Sequence, residues 1–369
     1  MTARHIAAFS PTVRVGMPLV SGELFEYGVA SRLPLMFSAN AFSTWTPDRE
    51  FKGFRLDAAA AIPDTVDATL DSAGFTQAVL YGDYVFSVEQ YLDLAAARTW
   101  RWYSSMDYCV EPQVAPDAAT RRLRIEATVA RYFECVDGAI RRNMELPVPV
   151  AQGFFAEEYA HCAEQLGIGP GTALVGIGSV CRRHLYGPDG VIAIMEALDD
   201  VLPHGTRVHL YGLKGNSLAA LARFAHRIES TDSMAYDMAV RRSTPVGRTQ
   251  YMRAVAMVEW HAREMQRLHQ GPRTAPPALL VTRRDRSQVE VASEAVGACL
   301  GDLHRSNDVS YRDAKAILAQ DVVTVQALMR AHGVEAFAAE EPEDDFGLGM
   351  VYAEVRSALV GAGYLPATA

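Results

Sequence analysis

The feature that most limits what this chain can fold into is a repeated order, in which a short apolar run is followed by a segment with helical spacing and then by another apolar run. Strand-like runs stand at 33–42 (LPLMFSANAF), 100–108 (WRWYSSMDY), 146–153 (LPVPVAQG), 173–180 (ALVGIGSV), 207–213 (RVHLYGL) and 227–234 (RIESTDSM). Helical spacing marks 116–143, 156–166, 189–202 and 216–225. Several of the runs are apolar along most of their length, as parallel strands covered on both faces need to be. Strand then helix, repeated, is the pattern of βαβ units. The expected class is therefore α/β, a (β/α)8 TIM-like barrel with additional C-terminal helices, with a doubly wound open sheet as the structural alternative. Residues 279–282 offer one weaker strand, and 246–362 otherwise read mostly as helix. No internal repeat or low-complexity linker divides the chain. The expected organisation is a barrel core over 1–245 that carries the site, with a mostly helical remainder over 246–369 packed on the barrel or completing it.

Composition excludes several classes. The 369 residues are 49% apolar, yet no stretch of about 18 uncharged apolar residues occurs, so no membrane partner is expected. Residues 1–14 carry scattered charges and lack the apolar core of a signal peptide, and a cytoplasmic location is expected. Five cysteines, far apart and with no CxxC pair, argue against a disulfide framework and against a zinc knuckle. Neither a metal nor a cofactor is expected. The net charge of −9 is a poor match for a polyanionic partner. The basic residues are nevertheless clustered, at Arg121, Arg122 and Arg124, at Arg141 and Arg142, at Arg182, Arg183 and His184, at Arg241 and Arg242, and at Arg283, Arg284 and Arg286. Taken singly, such doublets are more often ordinary solvated helix positions than contacts to phosphate.

In a barrel the functional side chains sit at the carboxyl ends of the strands. Here those ends carry Ser38 and Asn40, Asp107, Gln152 with Gly153, Gly178 with Ser179, His209 and Lys214, and Asp232. Buried strands do not tolerate such residues without partners or a use.

Five stretches, SMDYCVEP (105–112), PVAQG (149–153), VGIGSVCRRH (175–184), HLYGLKG (209–215) and STDSMAYD (230–237), in this order and spacing, resemble the queuine/archaeosine tRNA-guanine transglycosylase superfamily. The resemblance runs from about residue 33 to residue 242 and is closest to the DNA-modifying branch, the deazapurine DNA modification protein A family. It implies an enzyme, a pentosyltransferase that exchanges guanine for a 7-deazaguanine such as preQ0. It also implies that Asp232 is the carboxylate that attacks the anomeric carbon. An ionised carboxylate beneath the sugar stabilises the oxocarbenium-like charge of glycosidic cleavage and can form a covalent intermediate. Water must then be kept out, so that the incoming base finishes the reaction.

The same resemblance implies that Asp107 holds the pyrimidine edge of the base by two parallel hydrogen bonds, a contact adenine cannot reproduce. Gln152 and Gly153 match a base-binding pair, and Gly176 and Gly178 a strand end that the base approaches closely. Ser179, Ser38 and Asn40 complete the expected base-binding set. Arg182, Arg183, Lys214, Arg241 and Arg242 are the expected contacts to nucleic acid. His184, His209 and His226 read as structural or phosphate-facing. Trp45, Trp100, Trp102, Tyr103 and Tyr108 offer stacking surface, although aromatic-rich strands are more often core.

Two departures bear on substrate and mechanism. In the tRNA enzymes the first strand ends in an aspartate followed by a Ser-Gly-type turn, whereas PLMFSANAF offers Ser38 there, leaving Asp48 and Asp57 as candidates for a second carboxylate. Those enzymes also hold zinc with three closely spaced cysteines and a histidine, whereas Cys299 is the only cysteine here beyond residue 181. The substrate expected is therefore DNA, with the target base flipped out of the stack and helper proteins as possible partners for strand opening. A tRNA transglycosylase and a non-catalytic nucleic-acid-binding subunit of the same fold are the alternatives.

Overall fold

The structure, a computed structural model, describes residues 10–270 apart from Arg49, Arg182, His184, Tyr186, Pro188, Lys214, Pro245 and Val246. The chain divides into two compact units, Met1–Arg183 with Val191–Thr274, and His184–Gly190 with Ala275–Ala369. The second lies almost wholly outside the described residues, as does the strand expected at 279–282.

In the first unit the order is β1 (Thr12–Met17), α1 (Glu23–Ala30), β2 (Leu35–Ser38), β3 (Ser43–Trp45), β4 (Phe51–Phe54), α2 (Leu56–Ala60), β5 (Ala68–Asp71), α3 (Gly74–Tyr81) and α4 (Val88–Ala96). There follow α5 (Ala118–Arg141), β6 (Val150–Ala151), α6 (Ala156–Gln165), β7 (Leu174–Ile177), α7 (Val191–Val201), β8 (Arg207–Leu210), α8 (Gly215–Leu218), β9 (Ile228–Ser233), α9 (Ala235–Ser243) and α10 (Gln250–Gln270). The expected mixed α/β class holds. Seven strands form one curled parallel sheet in the order β5-β2-β1-β9-β8-β7-β6, and β3 and β4 make a separate antiparallel hairpin.

The run expected as a strand at 100–108 forms only isolated bridges, Tyr103 to Leu70 and Ser104 to Val148. Those bridges touch both edges of the sheet. Arg101 and Ser104 donate to the carbonyls of Ala68 and Leu70 beside β5, while Ser105 donates to Val148 and Val148 to Tyr103 on the β6 side.

Local chemistry fixes the covering helices. Ser87 and Gln90 cap α4 reciprocally, at 3.2 and 2.9 Å. Asp117 caps the 24-residue α5 by accepting from Thr120 N at 2.8 Å. Arg227, just before β9, is buried and donates to Asp199 and to the carbonyls of Leu202, Pro203 and Thr206, tying the end of α7 to the sheet.

In-register partners of parallel strands share a face, and successive residues alternate between faces. One face carries Val13, Val15, Met17, Leu35, Phe37, Leu70, Val175, Ile177, Val208 and Leu210, all buried and apolar. Registers such as Gly176↔His209, His209↔Ser230, Arg14↔Asp232 and Ser38↔Asp71 put the small and polar residues on the other. The helices cover the first face. The second is where the chemistry lies.

Candidate active site

Asp107 is buried, 7% exposed, and both of its oxygens are occupied. Ser72 Oγ donates to Oδ1 at 2.8 Å and Gln152 Nε2 to Oδ2 at 2.5 Å. The two side chains expected to read the base are thus bonded to each other. Ser179 Oγ lies 2.7 Å from Gln152 Oε1 and 2.9 Å from Glu111 Oε2, and accepts from Val110 N at 2.9 Å. Having one proton, that hydroxyl donates to only one of the two acceptors at a time. Tyr84 clamps the other side. Its hydroxyl donates to the Asp107 carbonyl at 2.9 Å, accepts from Asp107 N at 3.1 Å and lies 2.9 Å from Ser72 Oγ.

The glycines have a local packing reason. A Cβ on Gly178 would strike the Gln152 amide, and one on Gly176 would sit 2.6 Å from the Tyr211 ring. Their smallness makes room for neighbouring side chains. Gly153 has the same role toward Tyr159, at 2.7 Å, and its carbonyl accepts from Arg183 at 3.0 Å.

Asp232 lies in β9 with its side chain 18% exposed. Its Oδ1 accepts from Gly212 N at 2.7 Å and stands 3.3 Å from His209 Nε2. His209 is fully buried, with Nδ1 2.8 Å from Ser230 Oγ, and its ring packs edge-on against Trp102 and Tyr211.

Asp71, which sequence reasoning missed, joins these two groups. It ends β5 beside Ser38 in register. Burial pushes its carboxyl up to about 8, and the charges of Asp107 and Asp232 push the same way. Asp107 is pushed up to about 6, chiefly by burial, against the hydrogen bonds from Ser72 and Gln152 that hold it down. The phenol of Tyr211 is raised by burial and then by Asp71, Asp107 and Asp232 together. Three carboxyls therefore share one electrostatic neighbourhood. Asp71 is followed by Ser72, Ala73 and Gly74, an aspartate before a small-residue turn, which is the signal sought at Ser38. Asp48 and Asp57 are exposed at the surface.

The remaining expected residues divide. Ser38 Oγ is buried with no partner among the described residues, and Asn40 accepts from Gln77 at 2.8 Å. Arg183 is buried, 8% exposed, with Nε on the Ser179 carbonyl at 2.9 Å and its guanidinium 3.9 Å from the Phe154 ring centre. It braces the loop. Arg241 pairs with buried Asp237, and Arg241 and Arg242 are both exposed on α9. Arg182 and Lys214 lie outside the described residues. Of the other basic clusters, Arg121 pairs with Glu158, Arg141 with Glu89, and Arg142 with Glu89 and Asp93. Trp100 belongs to the core with Phe37 and Phe42.

The fold and site define an α/β protein whose curled parallel sheet gathers three interacting carboxyls and a buried amide on its polar face. The family described as "DpdA: DeoxyPurine in DNA protein A" matches residues 50–304, more than half of the chain. The chain belongs to this family, the deazapurine DNA modification protein A branch of the tRNA-guanine transglycosylase superfamily. Its class of function is deazapurine modification of DNA, of the transglycosylase type. No curated protein matches the chain. Among the described residues no helix is long and apolar enough to cross a membrane.

Proposed function

We propose that this protein replaces guanine in DNA with a 7-deazaguanine of the preQ0 type through a covalent Asp232–sugar intermediate. The observation that carries the reading is the convergence of Asp71, Asp107, Gln152 and Asp232 on one polar face, with Asp107 bonded to Gln152 and Asp71 feeling the charges of both Asp107 and Asp232. We further read the sheet as a closed eight-stranded barrel, with 101–105 as the eighth strand. The hydrogen bonds from that stretch to both sheet edges support this.

In this mechanism ionised Asp107 accepts the ring N–H and exocyclic amine of guanine, and Gln152 turns its amide toward the base carbonyl. Asp232 Oδ2 attacks C1′. The C1′–N9 bond breaks, its electron pair leaves with the base, and Asp71, protonated at neutral pH, gives its proton to the departing guanine. The incoming 7-deazaguanine loses its N9 proton to Asp71 and bonds to C1′, and the electron pair of the ester bond returns to Asp232. The proton count balances across the exchange. Incubation with labelled preQ0 and guanine-containing DNA is expected to transfer label to DNA, with Asp232→Asn abolishing both transfer and the denaturant-stable protein–DNA adduct. Label in tRNA alone would overturn the substrate. An adduct that survives Asp232→Asn would overturn the nucleophile.

A further inference from the structure

We infer that His209 is a positioning residue, a neutral imidazole that fixes which oxygen of Asp232 attacks and holds the other as the carboxylate departs. The inference rests on the reading of Asp232 as nucleophile and goes beyond it, because nothing in the sequence motif distinguishes the two oxygens.

The geometry carries the argument. Asp232 Oδ1 takes the Gly212 N–H at 2.7 Å and faces His209 Nε2 at 3.3 Å, whereas Oδ2 has no hydrogen bond from any described residue. Nε2 is buried and makes no hydrogen bond among the described residues, with Asp232 Oδ1 3.3 Å away. On the far side of the ring Ser230 Oγ lies 2.8 Å from Nδ1. A serine hydroxyl that donates to Nδ1 leaves the proton on Nε2, the ring nitrogen nearer the Asp232 carboxylate. Burial disfavours the imidazolium here, with Asp232 acting the other way. Trp102 and Tyr211 hold the ring between them, so the donor arrives already oriented.

One donor bonded to Oδ1 and a second within 3.3 Å of it have two consequences once the Nε2 contact closes. Negative charge is drawn to Oδ1, and Oδ2 is left as the free lone pair that forms the bond to C1′. In the second half of the exchange the Oδ2–C1′ bond breaks, and its electron pair spreads into the carboxylate. His209 Nε2–H and Gly212 N–H then stabilise the growing charge on Oδ1, as an oxyanion hole does. In the resting site the 3.3 Å contact is not a hydrogen bond, and it is expected to close into one as that charge develops.

Nitrogen-15 NMR of imidazole-labelled protein tests the tautomer, and single-turnover adduct formation tests the role. The expected wild-type spectrum has His209 neutral with its proton on Nε2, and Ser230→Ala is expected to mix the two tautomers. Because Gln carries a donor near the Nε2 position and Met does not, His209→Met is expected to slow both adduct formation and its discharge by about tenfold to a hundredfold, with His209→Gln recovering most of the loss. Affinity for free preQ0, set by Asp107 and Gln152, is expected to be unchanged in both variants. Equal rates in the Met and Gln variants, or a wild-type proton on Nδ1, would overturn the inference. If buried His209 variants fail to fold, the wild-type spectrum and the Ser230→Ala spectrum still decide it, an Nδ1 proton in the first or an unchanged tautomer in the second overturning the inference. An adduct that persists in Asp232→Asn sinks the nucleophile reading instead, leaving the tautomer result to stand separately.

Discussion

Asp71→Asn removes one titrating proton from the site while keeping its shape, because an amide oxygen can still accept from Ala73 N as the carboxylate does at 3.0 Å. The sign follows from the raised value. A carboxyl held at about 8 in the folded protein and near 3.8 in the unfolded chain favours folding below the lower value, and that contribution is lost as pH rises toward 8. Between pH 6 and 8 the unfolded Asp71 is ionised while the folded one keeps most of its proton. At 1.36 kcal/mol per unit, the wild type loses about 2 kcal/mol over this window through Asp71 alone. Asp107, at about 6, is half titrated at the lower end of this window and completes its transition within it, which adds only a few tenths of a kcal/mol. Urea denaturation followed by tryptophan fluorescence at pH 6, 7 and 8 is the assay, and the difference between the two proteins cancels the groups that do not interact with Asp71. Asp71→Asn is expected to be the more stable protein at pH 8 by about 2 kcal/mol relative to its standing at pH 6, and to have lost base exchange. Parallel stability curves would refute the claim that Asp71 is held protonated.

Ser72→Ala deletes a hydrogen bond that lowers the Asp107 value, so the acidic limb of the pH–rate profile is expected to move up from about 6, together with weaker binding of free base. An unmoved limb would show that ionised Asp107 is not what grips the base. Arg183→Met is expected to loosen the loop by freeing the Ser179 and Gly153 carbonyls, lowering base affinity. The slope of log K against log salt for DNA binding should stay as in the wild type, whereas a slope reduced by about one would make Arg183 a phosphate contact after all.

The different legibility of Asp107, Asp232 and Asp71 has one physical origin. A strand that lines a polar interior alternates, and it reads as an apolar run only where its inward positions are small. β7 reads that way because Gly176 faces inward between Val175 and Ile177, and the site residues after it were found. β1 does not, because Arg14 interrupts TVRVGM. That arginine is 1% exposed, pairs with Asp67 at 2.9 Å and lies 5.7 Å from the Trp102 ring centre, so a charge that looks like a loop residue is a buried interior one. With β1 hidden by its arginine, the pattern makes β2 the first strand and puts Ser38 at its end, whereas Asp71 ends the neighbouring β5 in register with it. The four-residue β5, ATLD, was too short to stand out by periodicity, although the turn after it, Ser72-Ala73-Gly74, carried the signal. The same logic accounts for Arg183. Its position in a basic doublet suggests phosphate, but only the fold brings the carbonyls of Ser179 and Gly153 within reach of its guanidinium. Charge along a sequence thus shows where a cation is, and burial decides whether it meets the substrate or the backbone that holds the substrate's pocket.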